Sequence, residues 1–412
     1  MSNPNPAAPV RPPARRRLRL LAAQLTLAAV VFAVCILVAE GGVRLLGYQP
    51  IWSLYSKPSV FWQDDPLLGW SHKPNSRGTY VGPKPWPVEF STAVEINSDG
   101  LRGPDVAPVP EGGKRVLFIG DSMLAAFEVE YDKTFAALIG AELTRTLGVP
   151  VQVINAGVRG YGTDQSYLYF RERGSKYRPD LVVHIHSAND SRENTEVHRM
   201  MQPMGKPAFR LAGDGSLEPI GQPVPHYPVC SQYNVTPQFE IVRTDRFSQR
   251  LFCTVETTVL DYSALGTVVT YGLRRHPGLL AGIHVGAQPR AAFVVKEGME
   301  DQSTSVTEAL LRTLGAEVLR VTGRRLLVIG DDHNLGAGFD RQRIAEHVDV
   351  FSYQDVWSDR QDEINFKNDG HFTELGHQRI ARLVAPQVAE RLLAPLPDRR
   401  AAPEAEMPGA AR

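Results

Sequence analysis

The chain has 412 residues, 43% of them hydrophobic, with 45 Lys and Arg against 45 Asp and Glu. That length suits one large domain, or one domain carrying a sizeable insertion, and the apolar content supports a buried core. Zero formal net charge argues against nucleic acid as a partner, which needs a basic excess. Three cysteines are too few for a disulfide scaffold and lack the paired spacing of a zinc site.

Residues 1–19 form a basic N-terminus expected to be disordered, ending in Arg15-Arg16-Arg17-Leu18-Arg19. An uncharged apolar run follows over 20–39. About 20 such residues cross a bilayer core, and the arginine cluster predicts that this end stays in the cytoplasm, with everything beyond Glu40 periplasmic or extracellular. A cleaved signal peptide is the alternative, but its apolar region runs only about 7–15 residues. No small-x-small cleavage site follows here, and Val34 before Cys35 is a poor match to a lipoprotein site.

Residues 40–112 are rich in Pro, Gly, Trp and Tyr and read as a β-rich lead-in packed on the main domain, with short strands near Val88–Phe90 and Ala93–Ile96. From 113 to 395 strands and helices alternate. Arg115–Ile119, Val151–Ile154, Leu181–His186, Arg325–Ile329 and Val348–Phe351 are apolar, β-branched runs. Helical periodicity marks Thr134–Leu147, Asp164–Arg173, Ser305–Thr322 and Gly376–Leu393. This alternation predicts an α/β fold with a parallel sheet covered on both faces. Residues 192–300 break the rhythm and read as an insertion or lid, with a helix at Asp261–Arg275. The tail 396–412 is expected to be disordered.

In such a sheet, ligands bind at the edge formed by the strand C-termini. Gly120-Asp121-Ser122, Asn155–Thr163, Ser187-Ala188-Asn189-Asp190 and Asp331-Asp332-His333-Asn334 each follow a predicted strand, and Asp369-Gly370-His371 precedes the last helix. A serine hydroxyl is a weak nucleophile that needs an adjacent base. His371 can supply that base, and Asp369 can orient its imidazole. The oxyanion formed on an attacked acyl carbonyl needs preorganised donors. Candidates are the backbone N–H groups of Ser122 and Gly160 and the side-chain amide of Asn189.

Gly120-Asp121-Ser122, Asn155-Ala156-Gly157-Val158-Arg159-Gly160, Asn189-Asp190 and Asp369-Gly370-His371 ahead of Gly376-His377 resemble, in order, the four blocks of the SGNH/GDSL hydrolase family. The resemblance implies a three-layer, flavodoxin-like α/β/α fold and metal-independent ester hydrolysis or acyl transfer without a cofactor. It implies Ser122 as nucleophile, His371 as base, and Gly160 and Asn189 as oxyanion donors. Two departures stand out. Ser187 occupies a position that is usually Gly, and one residue rather than two separates Asp369 from His371, which leaves Asn368 at the more usual Asp position.

Other features have plainer readings. His184 and His186 alternate along a strand, where burial explains them better than metal binding, and Asp331-Asp332-His333 has too few ligands for a metal. Tyr161 and Asp190 line the pocket or support it. In an oxidising compartment Cys230 and Cys253 are expected to pair and pin the insertion; two inert buried thiols are the alternative. The leading function is an esterase acting on O-acyl groups, acetyl above all, of envelope carbohydrate or lipid. An acyltransferase working with a membrane partner and a non-catalytic glycan-binding protein are the alternatives.

Overall fold

The computed structural model describes residues 14–48, 50, 60–82, 88–197, 205–220, 222, 224, 259, 262–274, 302–330, 335, 338–353 and 361–396. Helix α1 (Ala14–Leu45) contains a 28-residue stretch, Leu18–Leu45, apolar enough to cross a membrane and with none of it buried in the protein. At 1.5 Å per residue that stretch is about 42 Å long, more than a hydrocarbon core requires. Glu40 and Arg44, which pair across one turn at 2.6 Å, lie within this stretch beyond the uncharged run 20–39.

Two antiparallel hairpins follow, β1 (Trp62–Asp65) with β2 (Gly69–His72), and β3 (Arg77–Gly82) with β4 (Phe90–Glu95). Sequence suggested two short strands near β4, but inward Phe90, Thr92 and Val94 alternate with exposed partners without a break. Aromatic residues of these hairpins (Phe61, Trp62, Trp70, Tyr80, Phe90) join Leu117, Ile119 and Ile154 of the main sheet in one core.

The main domain runs β5 (Lys114–Gly120), α2 (Ser122–Ala125), α3 (Phe135–Leu147), β6 (Val151–Gly157), α4 (Thr163–Glu172), β7 (Leu181–Ile185) and α5 (Asp190–Glu193). After α5 come the hairpin β8 (Ala208–Leu211) and β9 (Leu217–Ile220) and helix α6 (Ala264–Arg274). Glu40 of α1 accepts the N–H groups of Ala264 and Leu265, tying the start of α6 to the end of the apolar helix. Then come α7 (Ser303–Thr322), β10 (Leu326–Gly330), β11 (Val348–Ser352), α8 (Gln361–Ile364) and α9 (Glu374–Leu393).

Five strands pair in parallel in the order β6-β5-β7-β10-β11. Counted along the chain this is 2-1-3-4-5, the flavodoxin-like arrangement. Successive side chains of a strand face opposite sides. Val116 and Phe118 accordingly pack with α3 and α9, and Leu117 and Ile119 with α4 and α7. Both faces are covered, which is why these strands read as unbroken apolar runs. Helix starts follow local chemistry: Thr134 Oγ1 caps α3 at Ala137 N–H, and Thr373 Oγ1 caps α9 at Gly376 N–H, both at 3.3 Å.

Candidate active site

Where β5 ends, Asp121 Oδ1 accepts the N–H of Met123 at 2.9 Å, so Asp121 caps α2 and Ser122 opens it. The turn is held from two sides. Asn155 donates Nδ2 to the carbonyl of Leu124 at 2.9 Å and accepts the N–H of Gly157 at 3.0 Å. A Cβ on Gly157 would lie 2.5 Å from the backbone nitrogen of Ala125, so only glycine allows β6 to come this close. From the lead-in, buried Arg102 donates Nη1 to the carbonyl of Ala125 at 2.7 Å and also reaches those of Ala126 and Val129. Burial lowers its pKa to about 10, against the raising effect of Glu128, and it stays a cation.

The sequence separation of 249 residues between Ser122 and His371 closes to 2.8 Å between Oγ and Nε2. The opposite ring nitrogen, Nδ1, is bonded to Asp369 Oδ1. A one-residue spacer suffices because Gly370 adopts φ +86°, folding the Asp369 carboxylate back over the following residue. Asn368 turns away and donates Nδ2 to Glu89 at 2.7 Å.

A second carboxylate escaped the sequence reading. Glu128 is fully buried, with Oε1 3.6 Å from Nδ1 of His371 and ion-paired to Arg159. Burial would favour neutral His371, but the charges of Glu128 and Asp369 outweigh burial and Arg159 and lift its pKa above the ordinary histidine value. Burial opposes the charge on Asp369, yet His371 and Arg159 hold its pKa below the usual range. The only hint in the sequence is an acid embedded in the apolar stretch Leu124–Val129.

Gly160 lies in the turn closed by Tyr161 N–H to Val158 carbonyl at 3.1 Å. That turn is anchored by the lead-in: Trp70 Nε1 donates to the carbonyl of Arg159 at 2.9 Å, and the Tyr161 hydroxyl donates to that of Trp70 at 2.6 Å. Tyr161 is thus a buried support rather than a pocket wall. Asn189 is half-buried and donates Nδ2 to Glu193 at 3.2 Å, with a longer contact of 3.5 Å to Asp190. His377 is buried in α9 and accepts the N–H of Phe135 at 3.2 Å. His184, His186 and Asp190 are all buried and converge; burial pulls the pKa of His184 down to about 4 and pushes that of Asp190 well up. Cys230, Cys253 and Asp331-Asp332-His333-Asn334 lie outside the described residues.

No protein-family model and no curated protein matches the sequence. Solved structures similar to it include TesA (14% identity, 68% of this chain and 100% of that one, TM-score 0.36). A lipase/acylhydrolase from Enterococcus faecalis is 13% identical over 68% of this chain and 96% of that one, with TM-score 0.32. An acetyl xylan esterase variant from Geobacillus stearothermophilus is 12% identical over 67% of this chain and 94% of that one, with TM-score 0.33. These likenesses are distant.

Proposed function

We propose that this chain is a membrane-tethered serine ester hydrolase of the SGNH/GDSL type, with its α/β domain on the non-cytoplasmic side. The observation that carries the reading is the line Ser122 Oγ, His371 Nε2, His371 Nδ1, Asp369 Oδ1, in which nucleophile and base stand 2.8 Å apart.

Ser122 Oγ attacks the acyl carbonyl while its proton passes to His371 Nε2. Asp369 fixes the tautomer that keeps Nε2 free to accept, and stabilises the imidazolium. The N–H groups of Ser122 and Gly160 and the amide of Asn189 receive the developing oxyanion; Asn189 does so by turning from Glu193. The imidazolium then protonates the departing alcohol, leaving an acyl-serine. Water, deprotonated by His371, attacks that acyl group and releases the carboxylic acid, and Ser122 recovers its proton.

The substrate class we assign is an O-acyl group, acetyl above all, on carbohydrate or lipid of the cell envelope. The apolar helix motivates this by keeping the site near a membrane, and Arg15–Arg19 motivates the outward orientation. Full-length protein in detergent, treated with a fluorophosphonate probe and an aryl acetate, is expected to be labelled and to hydrolyse the ester, with Ser122→Ala losing both. Turnover that appears only when a sugar acceptor is added would make the chain an acyltransferase. Folded protein that neither labels nor turns over would overturn the enzymatic reading.

A further inference from the structure

Four donor atoms meet inside the domain, beside the serine turn. They are Nε2 of His184 on β7, Nδ1 of His186 just beyond it, Oδ2 of Asp190 at the start of α5, and Oγ1 of Thr163 at the start of α4. Asp190 Oδ2 is 3.5 Å from His184 Nε2, 3.3 Å from His186 Nδ1 and 3.2 Å from Thr163 Oγ1. Thr163 Oγ1 is 3.4 Å from each imidazole nitrogen. The two ring nitrogens fall within 4.8 Å of each other. No more than 1% of any of the four residues is exposed.

A hydrogen-bonded cluster explains these separations poorly. Hydrogen bonds to oxygen cluster near about 2.9–3.0 Å from an N–H and about 2.7–2.8 Å from an O–H. Here three donors share one oxygen and none comes within 3.2 Å of it. A cation held tetrahedrally by N and O ligands at about 2.0–2.1 Å keeps those ligand atoms about 3.3–3.4 Å apart. The five separations given above, from 3.2 to 3.5 Å, bracket that edge length.

The donor chemistry selects the ion. Imidazole nitrogens suit zinc far better than magnesium or calcium, which take oxygen ligands at higher coordination numbers. Asp121 and Glu193 add negative charge close to Asp190, which favours a divalent cation. Complete burial leaves no face open to a substrate, as in structural rather than catalytic zinc sites.

We propose that Thr163, His184, His186 and Asp190 form a closed structural zinc site. It fastens the start of α4 to the end of β7, and so fixes the two loops that present Gly160 and Asn189. The alternation of His184 and His186 that sequence attributes to burial serves here to aim two imidazoles at one point from the same side of the strand.

The test is metal content, independent of hydrolysis. Full-length protein purified in detergent without chelator and equilibrated with Zn²⁺ is expected to keep about one zinc per chain after desalting. Removing the ion with a chelator should lower Tm, and Zn²⁺ should restore it. Cobalt substitution should give the intense visible absorption of a tetrahedral site. His186→Gln and Asp190→Asn should lose the metal, and Thr163→Ser, which keeps the hydroxyl, should retain it. Folded wild-type protein that holds no stoichiometric zinc and whose Tm ignores chelator would overturn the proposal. So would undiminished zinc in folded His186→Gln and Asp190→Asn. Should both variants fail to fold, zinc X-ray absorption of the wild type decides: two imidazoles and no sulfur support the site, and any sulfur ligand rejects it.

Discussion

Glu128 and Asp369 face the same nitrogen of His371, Glu128 from 3.6 Å and with its own charge paired to Arg159. An imidazole flanked in this way holds its proton more tightly than usual. Protonated His371 cannot accept the serine proton, so activity must fall as pH drops through its raised pKa. The acid limb of kcat/KM is expected above about 6.5, the ordinary histidine value. Glu128→Gln removes one of the two negative charges and should move that limb to lower pH. A limb that stays put or moves upward in this variant would remove Glu128 from the machinery.

The two neighbours in the final loop should separate cleanly. Asp369→Asn loses the partner that orients Nδ1 and is expected to lower kcat by about 10³–10⁴-fold. Asn368→Ala breaks only an exposed bond to Glu89 and should leave kcat within about threefold of wild type, given how little such surface contacts contribute. Steady-state kinetics on an aryl acetate reads both. Equal losses would mean that the loop rearranges and that Asn368 has a part in the site.

Asn189 offers a sharper test of the oxyanion assignment, because its amide is bonded to Glu193 at 3.2 Å. A donor that engages only the transition state contributes about 10²–10³-fold to kcat. Asn189→Ala should therefore reduce kcat by that order with KM nearly unchanged, and a loss confined to KM would argue for ground-state binding instead.

The parallel sheet was legible because its strands are buried on both faces and spell continuous apolar runs. That Ser122, His371 and Asp369 meet in space was legible because each lies at the end of such a run or just before the final helix. Glu128, Arg102 and Lys206 were not. Each is a charged residue whose burial is compensated by groups distant in sequence, and nothing local marks it. The spacing of His184 and His186 shows a shared face, but not that Asp190, one turn on, and the distant Thr163 arrive there. The sequence divides strand β4 at the polar pair Ser91-Thr92, which interrupts the apolar signal, although exposed Ser91 and inward Thr92 keep the pleat unbroken.

Arg102 predicts that the lead-in governs the stability of the turn that carries Ser122. Arg102 is 2% exposed, and its guanidinium serves the carbonyls of Ala125, Ala126 and Val129. Arg102→Met leaves these acceptors without their charged donor, at about 1–3 kcal/mol for a buried group so abandoned. A loss of roughly 3 kcal/mol in denaturant unfolding is expected, with fluorophosphonate labelling of Ser122 slowed in whatever remains folded. Unchanged stability would mean that water or another donor replaces the arginine.

Lys206 and Asp164 form an ion pair in which neither side chain is exposed, joining the segment just before β8 to α4. The ammonium also donates to the carbonyls of Glu193 at 2.7 Å and Pro207 at 2.9 Å. Burial pushes the pKa of Asp164 up despite this partner, so the carboxylate depends on the lysine to remain charged. Lys206→Met should cost about 3–5 kcal/mol, the usual result of stranding one member of a buried pair. Adding Asp164→Leu removes the stranded charge, and such apolar replacements are often neutral when they pack well. Recovery should nevertheless be partial, because the carbonyls of Glu193 and Pro207 still lack a donor. A double variant as unstable as Lys206→Met alone would show that the lysine acts through those carbonyls rather than through Asp164.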